Sequence, residues 1–260
     1  MDRVLITCEH YTDLPEHLKV ARQYGLGLEL QEFADPNVLD GDWHGLLDQY
    51  QAALDGFEGD LTLHGPYIDL VSGSPDKRLV AFTRERYLHN IEIGHQLGAT
   101  AIDFHANYLP LIDQPSYLPG WIDRQVTFWT PLAEQAKDYG ITLLLENMWE
   151  PDPAIISRIL TRIQSSNLHA CLDVGHAALY SKLPISDWIN AMGDHLVYAH
   201  LHNNHGDTDE HLPFDDGVID FPALLASLRA LPKPPLFSLE LPTLDAIKAS
   251  LPYLELDSEN

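Results

Sequence analysis

Basic residues are scarce: Lys and Arg number 15 against 39 Asp and Glu in 260 residues, a net charge of −24. Nucleic-acid binding needs a basic face to neutralise phosphates, so this balance argues against such a partner unless bound metals reverse the local field. Cysteine is nearly absent. Cys8 and Cys171 sit inside apolar runs without the spacing of a disulfide framework or a thiolate metal site, and both read as buried free thiols. No apolar run reaches the roughly 18 residues that a membrane helix needs. The start, Met1-Asp2-Arg3-Val4, lacks the basic and apolar regions of a signal peptide, so a cytoplasmic location is expected. No G-x-G-x-x-G follows an early strand. The first strand runs into Glu9-His10-Tyr11 instead, which argues against a dinucleotide-binding open sheet.

Hydrophobic residues make up 45% of the chain, enough for a sizeable core. Short apolar runs alternate with helix-like segments throughout. The strand candidates are Val4–Cys8, Gly27–Gln31, Asp60–His64, Thr100–His105, Ile141–Glu146, Leu168–Asp173, Leu196–His200 and Leu236–Glu240. Several are continuously apolar, as suits strands buried on both faces. The helix candidates are Pro15–Tyr24, Trp43–Leu54, Asp76–Leu97, Ile122–Tyr139, Pro153–Gln164, Ile185–Met192, Phe221–Leu231 and Leu244–Leu251. Eight alternating units predict an α/β fold, a single (β/α)8 TIM barrel spanning 1–260. Such barrels run to about 250 residues as one domain. The tail Glu255–Asn260 is expected to fray.

The strand ends carry the chemistry. The third strand ends at His64, the fourth at His105, the fifth at Glu146, the sixth in Asp173-Val-Gly-His176, the seventh at His200 and the eighth at Glu240. Six consecutive strands finish on a residue able to bind a divalent cation, and in a parallel barrel these ends converge on one mouth. Carboxylates crowded there need a neutralising cation. Imidazole with carboxylate suits Zn, Mn, Fe or Co, and no thiol is expected to point there. The loop after the seventh strand adds Asp209-x-His211, which in an extended segment would set both side chains on one side. His202, two residues beyond His200, points the same way by alternation and reads as a group supporting the ligands.

The pattern Glu…Asp-x-x-His…His…Asp-x-His…Glu resembles the xylose-isomerase-like TIM-barrel superfamily, which includes sugar isomerases, sugar epimerases and endonuclease IV. The resemblance implies one to three divalent ions (Zn, Mn, Mg or Co) at the C-terminal ends of the strands. The endonuclease IV branch implies nine ligands: His64, His105, Glu146, Asp173, His176, His200, Asp209, His211 and Glu240. The epimerase branch implies one ion on Glu146, Asp173, His200 and Glu240. Glu146 and Glu240 then exchange a proton through an enediolate, and His176 contacts a sugar-like small molecule.

Each branch shows a departure. The epimerases resembled place an Arg shortly after the seventh-strand His, and none lies between His200 and His211. Endonuclease IV places an Arg where Glu210 stands, and Glu210 would repel phosphate. The charge balance ranks an isomerase or epimerase above a phosphodiester hydrolase, and both above a non-catalytic metal-binding barrel. Lys77, Arg78 and Lys182 are the few cations predicted near the mouth, so an unphosphorylated keto-sugar or polyol is expected. Glu29 and Glu32 are candidates to line the mouth, and Trp149 to stack on a sugar. His89 and His95 read as helix-packing residues.

Overall fold

The structure, a computed structural model, describes residues 1–112 and 114–256. Eight parallel strands close into one barrel in sequence order. The elements run β1 (Val4–Cys8), α1 (Leu14–Tyr24), β2 (Gly27–Leu30), α2 (Pro36–Asp40), α3 (Trp43–Ala53), β3 (Leu61–His64), α4 (Lys77–Leu97) and β4 (Ala101–His105). They continue with α5 (Tyr117–Asp138), β5 (Thr142–Glu146), α6 (Ala154–Ile163), β6 (Leu168–Asp173), α7 (Val174–Tyr180) and α8 (Ile185–Met192). β7 (Leu196–Leu201), α9 (Phe221–Arg229), β8 (Leu236–Leu239) and α10 (Leu244–Ser250) complete the order.

The eight expected strands are present, shifted by at most one residue at either end. Local chemistry explains the helices. Asp76 accepts from the Arg78 N–H and starts α4, and Gly98, at φ 75°, ends it in the left-handed conformation. α6 turns Ile155, Ile156, Ile159 and Leu160 onto the barrel wall. α5 begins five residues before the expected Ile122. Pro119 and Gly120 look like breakers, but a proline in the first turn sacrifices no helical hydrogen bond. α2 and α7, of five and seven residues, are too short to give a periodic signal in the sequence. His89 packs edge-on against Trp43 and His95 stacks on Tyr139, as helix-packing residues do.

The main core lies between the strands and the helix layer. A second, smaller cluster of Leu5, Ala101, Leu144, Cys171 and Tyr198 fills the barrel interior. The Glu255 N–H donates to Asp2 Oδ2, and its carbonyl accepts from the Asp2 N–H, so Glu255 is anchored rather than frayed. The last four residues of the expected frayed tail lie outside the described residues.

Candidate metal centre

Strand alternation carries the interior from apolar to ionisable. Two residues above Ala101, Leu144, Cys171 and Tyr198 on their strands stand Asp103, Glu146, Asp173 and His200, each at most 1% exposed. One pleat higher on β4 is His105, and β3 contributes His64. Register sets them side by side: His64 pairs with Asp103, His105 with Glu146, and Asp173 with His200.

Among the described residues four groups of potential ligand atoms result, the atoms of each within 4.8 Å of one another, and three of them contain no thiol. In the first, His105 Nε2 is 3.2 Å and His64 Nε2 3.8 Å from Glu146 Oε2, and Asp103 completes the set. In the second, His200 Nδ1 is 3.3 Å from Glu146 Oε1 and 3.4 Å from Glu240 Oε2, with Asp173 alongside. In the third, Asp209 Oδ2 is 3.1 Å from His176 Nε2 and 3.4 Å from His211 Nε2, with His202 beside them. All nine sequence-predicted residues are brought together.

The imidazoles are held in a common way. A backbone carbonyl can only accept, so the Nδ1–H of His64 donates to the Gly65 carbonyl, that of His176 to Asn147 and that of His211 to Glu240. In each, Nε2 is left facing carboxylates. His200 reverses the arrangement, with Nε2 3.1 Å from the Glu29 carboxylate and Nδ1 toward the second group. One nitrogen tied to an acceptor and the other free is the arrangement that orients a metal-binding histidine.

Local structure explains the positions. Asp173 caps α7 by accepting from the His176 N–H at 2.6 Å, which is why the two residues occur as Asp-x-x-His. The Asn147 amide clasps the Asp173 backbone, donating to its carbonyl and accepting from its N–H. Beyond β7, Asn203 donates to the carbonyls of Phe214 and Ile219, folding the loop back over the mouth. That loop is not extended at His211. His211 has φ 51°, in the left-handed region, so backbone reversal rather than strand alternation brings it to Asp209.

Comparison with known proteins decides the family. Residues 19–256 match the family model described as Xylose isomerase-like TIM barrel. The chain belongs to this family. The uncharacterized protein MJ1311 of Methanocaldococcus jannaschii is 28% identical over 218 residues, covering 79% of this chain and 73% of that protein. The TTHB071 protein of Thermus thermophilus, solved after soaking with ZnCl2, superposes with a TM-score of 0.79 at 26% identity, covering 97% of this chain and 96% of that one. A D-tagatose 3-epimerase-like protein shares the fold at a TM-score of 0.75 and 22% identity, over 95% of this chain and 94% of that one.

The donor set of this xylose-isomerase-like barrel fits divalent cations on its own physical grounds. Both carboxylate oxygens of Asp103 and of Glu146 are buried without a hydrogen-bond partner, as are His105 Nδ1, His200 Nδ1 and His202 Nδ1. Buried polar atoms are rarely left so unless something else satisfies them. Burial, reinforced by Glu146, pushes the Asp103 carboxyl well above the usual range. At Glu146, burial is outweighed by the His105 and His200 imidazoles, which hold the carboxyl well below it. Glu29 is likewise penalised by burial, yet His200, His64 and the Tyr198 hydroxyl bring it down to about 2. His211 is raised to about 9, because Asp209 and Glu240 overcome the burial that would lower it.

Several details differ from the sequence reading. Cys171 does reach this region, its Sγ grouped with Glu146 and His200, because it stands two residues below Asp173 on the same face. Burial raises its thiol pKa well above normal, which disfavours the thiolate a metal needs. Both cysteines are buried free thiols, as expected. Asp103 is absent from the sequence-predicted set, although counting two residues back from His105 finds it.

The cavity above the groups encloses about 860 Å³. Among the described residues none of its lining is Lys or Arg; Lys77 instead lines a separate groove between α4 and α5. Met148 lines the cavity and Trp149 does not. Glu32 lines it too, fixed by the Tyr11 N–H and the Tyr50 hydroxyl. Glu29 lies deeper, beneath His200. Tyr67 covers the entrance to the first group, its ring 4.7 Å from that of His105. The Gln31 amide donates to Glu240 Oε1 at 2.9 Å and orients that carboxylate, another contact the sequence reading does not identify.

Proposed function

We propose that this chain is a divalent-metal-dependent isomerase or epimerase acting on an unphosphorylated keto-sugar or polyol-like substrate. The observation that carries this reading is a four-ligand group of Glu146, Asp173, His200 and Glu240 beneath a cavity with no Lys or Arg in its described lining. A phosphate ester entering such a cavity would meet Glu9, Glu32, Glu210 and Glu240, with no Lys or Arg among the described lining residues to grip it. A polyhydroxylated neutral molecule would find hydrogen-bond acceptors.

A divalent ion in the second group would supply Lewis-acid polarisation of a carbonyl and its neighbouring hydroxyl. Glu146 and Glu240 flank His200 Nδ1 at 3.3 and 3.4 Å, and we assign them the removal and return of a proton next to that carbonyl. Glu29 fixes the His200 ring, and Gln31 fixes Glu240. His176 lines the cavity, its Nε2 oriented by Asp209 Oδ2 at 3.1 Å, and we assign it contact with a substrate oxygen. The epimerase-like fold of a structural neighbour accords with this reading.

The test is hydrogen exchange into D2O. The metal-loaded protein is expected to exchange a C–H next to the carbonyl of an unphosphorylated ketose within a panel of such sugars. Glu146→Gln and Glu240→Gln should each lower the rate by about 10²-fold or more in a folded protein. Full exchange by both variants would sink the assigned proton transfers. The three-group arrangement also favours a second reading, phosphodiester hydrolysis by clustered ions. Robust cleavage of abasic-site DNA without sugar exchange would establish that one instead.

A further inference from the structure

Asp103 belongs to none of the nine positions carried by the family resemblance, yet it occupies the floor of the first group. It lies two residues before His105 on β4 and pairs in register with His64. It is 1% exposed, and neither carboxylate oxygen has a hydrogen-bond partner. Oδ2 stands 3.8 Å from His64 Nε2, within a group whose ligand atoms all lie inside 4.8 Å. A carboxylate kept for structure is surrounded by N–H or O–H donors. Glu150, also buried in this chain, takes the backbone N–H groups of Tyr108 and Met148 at 2.8 and 2.6 Å. Asp103 has no such N–H or hydroxyl donors, and its hydrogen-bonding neighbour, when one of the two is protonated, is the Glu146 carboxylate. It faces another carboxylate and two imidazoles.

We propose that Asp103 is a metal ligand which, with His64, His105 and Glu146, forms a four-ligand divalent-cation position in the mouth. A tetrahedral ion with ligand bonds of about 2.0–2.2 Å sets neighbouring donor atoms about 3.4 Å apart. The separations of 3.2, 3.8 and 3.8 Å from Glu146 to His105, Glu146 to His64 and Asp103 to His64 lie close to that spacing. Both positions touch the cavity, this one through His64 and His105 and the one on Glu146, Asp173, His200 and Glu240 through Glu240.

This assignment rests on the reading of the mouth as a metal centre, and the test separates the two. Chelator-stripped protein is titrated with Co(II) alone, following visible absorption and binding heat. The wild type should show the intense bands of a tetrahedral site. Asp103→Asn should diminish those bands and weaken one position by about 10- to 100-fold. Metal-free Asp103→Asn should melt no lower than wild type, since an unpartnered buried carboxylate has been removed. Wild type that binds no Co(II) overturns the metal centre and this assignment with it. Wild type that binds, with a variant unchanged within about twofold, overturns this assignment alone. Should the variant fail to fold, a zinc-loaded crystal structure of wild type decides. An Asp103 oxygen at about 2.0–2.2 Å from an ion supports the assignment, and ions present only at other groups refute it.

Discussion

Leu5, Ala101, Leu144, Cys171 and Tyr198 fill the lower interior of the barrel. Two residues further along four of the same strands, Asp103, Glu146, Asp173 and His200 share the same enclosed space. The backbone is continuous across the boundary and only the side chains change. Below, apolar groups stabilise the barrel by burial. Above, equal burial acts against stability, because charges removed from water need partners. The apolar floor also lowers the local dielectric, so each imidazole–carboxylate contact above it is stronger than it would be in solvent. A stable lower half thus supports an upper half in which several buried polar atoms have no hydrogen-bond partner.

Breaking the floor should have the largest effect. Leu144→Ala, at a site 1% exposed, is expected to cost about 2–5 kcal/mol in chemical denaturation while leaving metal stoichiometry unchanged. Loss of metal without loss of stability would show that the two halves are not separable in this way.

Cutting the link between the halves should be milder. Glu29 joins them, accepting from Tyr198 in the lower cluster at 2.6 Å and from His200 in the upper one at 3.1 Å. Glu29→Gln should weaken metal binding by about 10- to 100-fold in a calorimetric titration. An unchanged affinity would mean that His200 holds its orientation without it.

The smallest effect is a pH dependence of the metal-free protein. The folded pKa of His211, about 9, lies above its ordinary value of 6.5. Its contribution to stability is therefore complete below about 6.5 and is lost as pH rises through about 9. Melting temperatures of metal-free wild type should fall across that window, and those of His211→Gln should fall less. Parallel curves would remove His211 as the cause.

Much of this is legible in the sequence because strands and their ends carry strong signals. Runs such as Ile141–Leu145 announce buried strands, and a polar residue that ends one stands out against them. What escapes such a reading does so for physical causes. Asp103 sits inside a run, where a single carboxylate reads as an interruption rather than as part of an inward-facing series. Gln31 acts through Glu240, 209 positions away, and no local pattern links them. Asp209 and His211 stand out by spacing, but the left-handed φ of His211 that joins them is uncommon outside glycine and no local pattern marks it.

Strand register has a further consequence. The pairs His64 with Asp103, His105 with Glu146 and Asp173 with His200 are set by the hydrogen-bond ladder, whose strands lie about 4.7–4.9 Å apart. The sheet therefore acts as a gauge, and the distances between donor groups are inherited from backbone spacing. One residue inserted between Ala101 and His105 would leave the barrel closed and its composition nearly unchanged. It would nonetheless turn the residues beyond it onto the opposite face, moving His105 into the helix layer and an apolar neighbour into the mouth.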